Sequence, residues 1–132
     1  MRQVVLFILL ALCVMACQKD KPITPGIFGK WELRRVYGGL LGFDSTYKAG
    51  NGTIYQFNSD STYKHFTNKK QDAQGIFHIQ INNNPTANSI STYTILFDNT
   101  TYGEPLTING TSITIGTTVT DGIAMDYQKI GN

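Results

Sequence analysis

Apolar and polar residues alternate from Ile27 onward, in short runs separated by turn residues. A period of two puts successive side chains on opposite faces, as in a half-buried β-strand, and no stretch has the spacing of an amphipathic helix. The pattern predicts strands over residues 28–37, 53–58, 62–67, 75–81, 90–97 and 123–130. Within each strand the large apolar residues share one face, which we expect to point inward; they include Tyr55, Phe57, Phe77, Ile79, Tyr93, Ile95 and Phe97.

Asn109-Gly110 stands between two further alternating runs and is typical of a two-residue hairpin loop. A type I′ turn needs positive φ at both central positions, which asparagine and glycine tolerate. Such a turn would pair Ile108 with Thr111 and Leu106 with Ile113. That register places four apolar residues on one face of the hairpin: Leu106, Ile108, Ile113 and Ile115.

The last predicted strand follows Asp121-Gly122. A tight turn there would put Ile115 on the face opposite Met125 and Tyr127, so we expect a bulge or a longer loop and leave the register open. The eight strands form an antiparallel meander, which buries its apolar face and removes its free edges when it closes. We therefore predict an all-β fold: an eight-stranded antiparallel up-and-down barrel after an N-terminal signal peptide.

The first residues have the character of an export signal. Arg2 supplies a positive charge, residues 4–14 are apolar, and Ala16 precedes Cys17. A run of this length is shorter than the about 20 apolar residues that span a bilayer. We predict a signal peptide at residues 1–16, a lipidated cysteine and polar tether at residues 17–26, and one domain at residues 27–132.

Val14-Met15-Ala16-Cys17 resembles the lipobox of bacterial lipoproteins. The resemblance implies a lipid with palmitate-like acyl chains on Cys17, and hence a membrane as a partner; the alternative is a secreted protein with a chance cysteine. Gln18-Lys19-Asp20 resembles the export tag of surface lipoproteins from Bacteroidetes-type bacteria. It implies attachment to the outer membrane facing out of the cell, with periplasm-facing attachment as the alternative.

Cysteine and charge exclude several classes of function. Cys13 leaves with the signal and Cys17 carries lipid, so the mature domain would have no thiol for a disulfide, a zinc site or a nucleophile. Loss of Arg2 leaves 10 basic residues against 9 acidic ones. A net charge of about +1 with scattered charges indicates no basic surface that would bind a polyanion, so no nucleic-acid partner is expected.

Gly29-Lys30-Trp31 resembles the G-x-W signature of lipocalins. The stretches at residues 55–63 and 121–130 look like those of short lipocalin-like lipoproteins from Bacteroidetes-type bacteria, so the resemblance spans residues 27–130. It implies that Gly29 and Trp31 plug the closed end of the barrel. The T-D-Y-type loop is absent, and Lys129 is the only late cation where lipocalins pack an arginine over the tryptophan.

Residues 37–52 form a long glycine-rich connection that nonetheless carries Leu40, Leu41 and Phe43. Connections of this length are often binding loops or lids. In lipocalins the corresponding loop covers the open end, so we predict that the three side chains line or cap the entrance for a hydrophobic ligand. The alternative is that they plug the core.

No catalytic arrangement stands out, so the chain is not expected to be an enzyme or to carry a cofactor. His65 shares a face with Tyr63, and His78 is expected to face solvent; neither has acidic residues at the spacing of a metal site.

Two functions remain. The first is a lipid-anchored carrier of a small hydrophobic molecule, which would bind between the inward-facing apolar residues of the predicted strands. The second is a surface module with a filled barrel that contacts a protein or a glycan through its Thr- and Asn-rich exterior.

Overall fold

The computed structural model of the protein describes residues 26–82 and 91–132. Outside the described residues lie the predicted signal peptide, Cys17 and the part of the tether before Gly26. Ile90, the predicted start of the fifth strand, also lies outside them. The described residues form β1 (Gly29–Gly38), β2 (Phe43–Thr46), β3 (Ile54–Phe57), β4 (Thr62–Thr67), β5 (Lys70–Ile81), β6 (Tyr93–Phe97), β7 (Glu104–Asn109), β8 (Ser112–Gly116) and β9 (Ile123–Gly131). Among them no helix is long and apolar enough to cross a membrane.

The strands form one antiparallel sheet in the order β2-β1-β3-β4-β5-β6-β7-β8-β9, and β1 also pairs with β9. Eight strands, β1 and β3 to β9, thus close into the predicted barrel, and β2 is an additional strand. β3 pairs with the first half of β1 and β2 with its second half, so these two short strands follow each other along one edge of β1.

The register defines two ends of the barrel. The proximal end carries the start of β1, the β3–β4 and β7–β8 turns and the end of β9. The distal end carries the β1–β2 turn and the connections that follow β4, β6 and β8. A bulge between Leu33 and Arg35 lets β1 run from one end to the other while Leu33 and Val36 both face inward, opposite Tyr127 and Met125.

β2 was missed because residues 37–52 were expected to be a loop throughout. Its residues do not alternate between apolar and polar, so a search for period two cannot detect it. The strand is held instead by its ladder with β1 and by Arg35, whose guanidinium donates to both carboxylate oxygens of Asp44 at 2.9 and 2.8 Å.

The β7–β8 hairpin has the predicted face but not the predicted register. Asn109 pairs with Ser112 and Ile108 with Ile113, so the two-residue loop is Gly110-Thr111 and not Asn109-Gly110. Only Gly110 of these loop residues has positive φ, at 58°, which is the requirement of a II′ turn at its first central position. Because the shift is two residues, the four apolar residues predicted to share a face still do so.

The longer loop expected before the last strand is present at residues 117–122. It lets Ile113 pair with Tyr127 and Ile115 with Met125, so the apolar residues of β8 and β9 face inward together. The register that the sequence left open is therefore set by burial.

Gly29 and Trp31 lie at the proximal end of the barrel. Trp31 is fully buried, and its Nε1–H donates to the Ile27 carbonyl at 2.6 Å. The Lys129 ammonium lies 5.6 Å from the centre of its ring, a cation–π distance. Gly29 has φ +124°, and a Cβ there would lie 2.4 Å from the Gly131 carbonyl oxygen, so only glycine fits.

Candidate functional site

The residues predicted to wall a ligand cavity all face the interior. Phe57, Phe77 and Ile95 are buried, while Tyr55, Ile79, Tyr93 and Phe97 are partly buried and packed against the same core. Their inward orientation follows from the ladders, in which Phe77 pairs with Phe97, Ile79 with Ile95 and Phe57 with Tyr63. Alternation in the sequence was therefore sufficient to identify this face.

These side chains contact one another across the barrel. The ring of Tyr55 on β3 stacks on Phe97 of β6, with centroids 5.4 Å apart, and meets Tyr127 of β9 edge-on at 5.5 Å. Phe97 also contacts Tyr63 of β4 at 4.8 Å. Because β3 and β6 are separated by two strands of the closed sheet, the stacked pair bridges the interior. Aromatic pairs at such distances attract each other beyond simple burial.

The phenols inside the barrel are neutral at physiological pH. Burial raises the pKa of Tyr55 to about 12 and raises the pKa of Tyr127 further. The Tyr127 hydroxyl donates to the Met125 sulfur at 3.6 Å, and the Tyr63 hydroxyl donates to Asp98 at 3.1 Å. The interior is therefore an aromatic cluster in which the Tyr63 and Tyr127 hydroxyls have hydrogen-bond partners.

His65 faces the interior near the distal end and is paired with Asp72. Its Nδ1 lies 2.7 Å from the Asp72 carboxylate, and Thr67 donates to the other carboxylate oxygen at 2.6 Å. The hydrogen bonds that the Asp72 carboxylate accepts from Thr67 and shares with His65 hold its pKa below the ordinary value. Asp72 was missed because it comes near His65 only through a bulge in the β4–β5 hairpin. In the described part of the chain, no three His, Cys, Asp or Glu residues are grouped as metal ligands; His78 is exposed, as expected.

Leu40 and Leu41 lie on the β1–β2 turn at the distal end, and Phe43 begins β2. The three side chains point into solvent, with 81%, 95% and 52% of their surface exposed. This exposure is incompatible with the alternative that they plug the core. Ile123, at the start of β9, is also half exposed, and its neighbour Gly122 accepts a hydrogen bond from the Gly39 N–H at 2.8 Å. The four side chains form what we call the distal apolar rim.

A cleft of about 490 Å³ lies on the outer face of the barrel. Outward residues of β7, β8 and β9 border it, together with Tyr37 of β1 and the loop after β8. We call it the threonine cleft, because five threonines line it: Thr107, Thr114, Thr117, Thr118 and Thr120. Sequence reasoning missed it because Tyr37 and the β8–β9 loop, far apart in the chain, meet only after β1 and β9 close the barrel.

Thr114 and Tyr37, which line the threonine cleft, are held by neighbouring side chains. Thr114 donates to Asp126 at 2.7 Å, and the Arg35 guanidinium lies 4.3 Å above the Tyr37 ring. Burial, followed by the nearby Asp126 carboxylate, raises the pKa of the Tyr37 hydroxyl. The cleft wall therefore includes one hydroxyl and one aromatic ring that are held in place by neighbouring side chains.

A second cleft, of about 480 Å³, lies at the proximal end, between Phe28, Asn58 and Lys129. It adjoins the point where the described chain begins at Gly26.

The fold and these surfaces define an all-β protein: a closed antiparallel barrel with a stacked aromatic interior. No family model, no curated protein and no solved structure matches the chain.

Proposed function

We propose that this protein is a non-catalytic binding module, anchored to the outer membrane by lipid on Cys17, that recognises its partner with the exterior of a filled barrel. The observation that carries the proposal is the ring contact of Tyr55 with Phe97, 5.4 Å apart across the interior. The side chains that would wall a cavity contact one another across the interior, which supports a filled barrel.

The energetics of opening the interior support this choice. Pockets for small molecules usually enclose about 300 Å³ or more, so a ligand would have to part the stacked rings. Truncation of a buried phenylalanine to alanine costs about 3–5 kcal/mol, which indicates how much contact one such ring contributes. A ligand in the centre would have to replace that contact for several rings at once.

The position of the first described residues supports presentation at a surface. Gly26 leads into β1 at the proximal end, so the tether joins the barrel there. Its eight residues before Gly26 would span at most about 28 Å when extended. The distal end would then point away from the anchoring membrane, and the side of the barrel would be accessible.

A carrier of a small hydrophobic ligand is the second candidate. The distal apolar rim favours it, since exposed leucine and phenylalanine side chains beside a barrel end suit the entrance predicted from the sequence. In that case Tyr55 and Phe97 would have to separate when ligand enters.

The two candidates are distinguished by titrating the full-length Cys17→Ser chain with 11-dansylaminoundecanoic acid. We expect no saturable fluorescence increase for the parent chain. We expect none for Phe97→Ala either, because one truncated ring leaves a cavity of at most about 150 Å³, enough for benzene but not for a fatty acid. Tyr102→Ala, at a fully exposed tyrosine, is the matched control and should resemble the parent. Saturable micromolar binding by the parent, lost in Leu40→Ser/Leu41→Ser/Phe43→Ser, would contradict the proposal and support the carrier.

A further inference from the structure

Among the described residues, none of those that line the threonine cleft is charged. The described lining consists of hydroxyl-bearing, small and apolar side chains, among them Val119, Pro105 and Ala124. Two charged groups touch lining residues, Asp126 at Thr114 and Arg35 over Tyr37, and both are already engaged, Arg35 also with Asp44. The chemistry of the wall therefore favours a neutral ligand that has both hydroxyl groups and apolar faces.

The position of the cleft argues against an extended peptide. Peptides commonly bind sheets by adding a strand to a free edge. Here β8 and β9 pair with a neighbour on both sides, and β7 pairs with β8 and, over Glu104–Leu106, with β6, so most of the cleft lies on a sheet face. Recognition on that face would depend on side chains alone.

The hydroxyls divide into those that are engaged and those that are available. Thr114 donates to Asp126, and the Thr117 hydroxyl accepts from the Val119 N–H at 3.2 Å. Thr107, Thr118 and Thr120 make no side-chain hydrogen bond to the described residues. Thr107, Thr118 and Thr120 are also three of the exposed positions of this surface. These hydroxyls can exchange hydrogen bonds with water for hydrogen bonds with ligand hydroxyls at little cost in free energy, because each hydroxyl both donates and accepts.

We infer that the threonine cleft is a binding site for a neutral carbohydrate, with Tyr37 as the aromatic wall against a sugar ring and with Thr107, Thr118 and Thr120 as hydrogen-bond partners. The site deepens the proposed function, and it rests on that function, since it identifies the exterior surface through which a filled barrel binds. Its volume of about 490 Å³ lies in the range of small-ligand sites.

The test is saturation-transfer NMR and calorimetry of the full-length Cys17→Ser chain with three probes: a neutral hexose tetrasaccharide, a neutral N-acetylhexosamine tetrasaccharide and a sulfated heparin tetrasaccharide. We expect at least one neutral probe to bind and the sulfated probe not to bind. Thr107→Val keeps the shape and removes one hydroxyl, so it should weaken binding about 5–10-fold. Tyr37→Ala should weaken it more than tenfold, because aromatic side chains dominate contact energies.

Matched controls separate the site from general effects of mutation. Thr111→Val, at the exposed proximal turn, and Tyr47→Ala, outside the cleft, should leave the dissociation constant unchanged. Three outcomes overturn the inference: neither neutral probe binds, only the sulfated probe binds, or Thr107→Val and Tyr37→Ala bind as well as the parent. If one of these outcomes occurs and the parent chain does not bind 11-dansylaminoundecanoic acid, only the carbohydrate site is wrong and the filled-barrel proposal stands. If the parent chain binds that fatty acid saturably, the filled-barrel proposal itself is wrong.

Discussion

Glu32 is a carboxylate on the outer face of β1 that is only 4% exposed. One carboxylate oxygen accepts from Arg34 at 2.7 Å and from the Gly50 N–H at 3.0 Å, and the other accepts from the Gly52 N–H at 3.0 Å. Burial alone would raise the pKa of Glu32, but these donors together hold it below its ordinary value. The residue therefore fastens the loop between β2 and β3 to the barrel wall.

Replacement of Glu32 by glutamine should lower the free energy of unfolding by about 2 kcal/mol, because hydrogen bonds to a charged acceptor are lost. A lowered folded-state pKa means that the stabilisation is complete above the ordinary glutamate pKa and declines as the pH falls through the folded-state value. Urea unfolding between pH 7 and pH 3 should therefore show a smaller acid-induced loss for Glu32→Gln than for the parent.

Glu104→Gln is the control for this experiment, since Glu104 is exposed and should change stability little. An equal pH dependence in the parent and in Glu32→Gln would show that Glu32 is not held in its charged form by the loop.

Among the elements, the β7–β8 hairpin gives the sharpest test of register. The structure places Gly110 at positive φ and Asn109 within β7. Gly110→Ala should cost about 1 kcal/mol or more, because alanine is strained at positive φ, whereas Asn109→Ala should cost much less. Thermal unfolding of the two variants measures the difference. Comparable losses for both would instead favour the type I′ turn at Asn109-Gly110.

The elements also show what sequence alone can predict. Strands such as β1, β4 and β9 were located to within one or two residues, because each buries one face and therefore alternates. β2 has no buried face and was invisible to that pattern. The pairing of His65 with Asp72 depends on a bulge, and the threonine cleft depends on closure of β1 onto β9; such long-range geometry leaves no local signal.

For the whole molecule, the proposed lipid anchor on Cys17 would determine where the protein is located. Metabolic labelling with tritiated palmitate in a bacterial host should label the parent chain and not Cys17→Ser. Cys13→Ser is the matched control: it removes the other cysteine of the chain, inside the predicted signal, and should remain labelled. Label that persists in Cys17→Ser would contradict lipidation at that residue.

In the proposed function the interior of the barrel stabilises the fold and the exterior binds the partner. Eleven buried side chains form one cluster that extends from Ile27 and Trp31 at the proximal end to Ile115. Protein interiors are generally packed as densely as crystals of small organic molecules, so a core of this kind leaves little space for a ligand.

The contact between Tyr55 and Phe97 tests this most directly. We predict nuclear Overhauser effects between their ring protons in protein purified from its own host, because the ring centroids are 5.4 Å apart. The contradictory result would be the absence of that cross-peak together with cross-peaks from both rings to the aliphatic protons of a bound lipid.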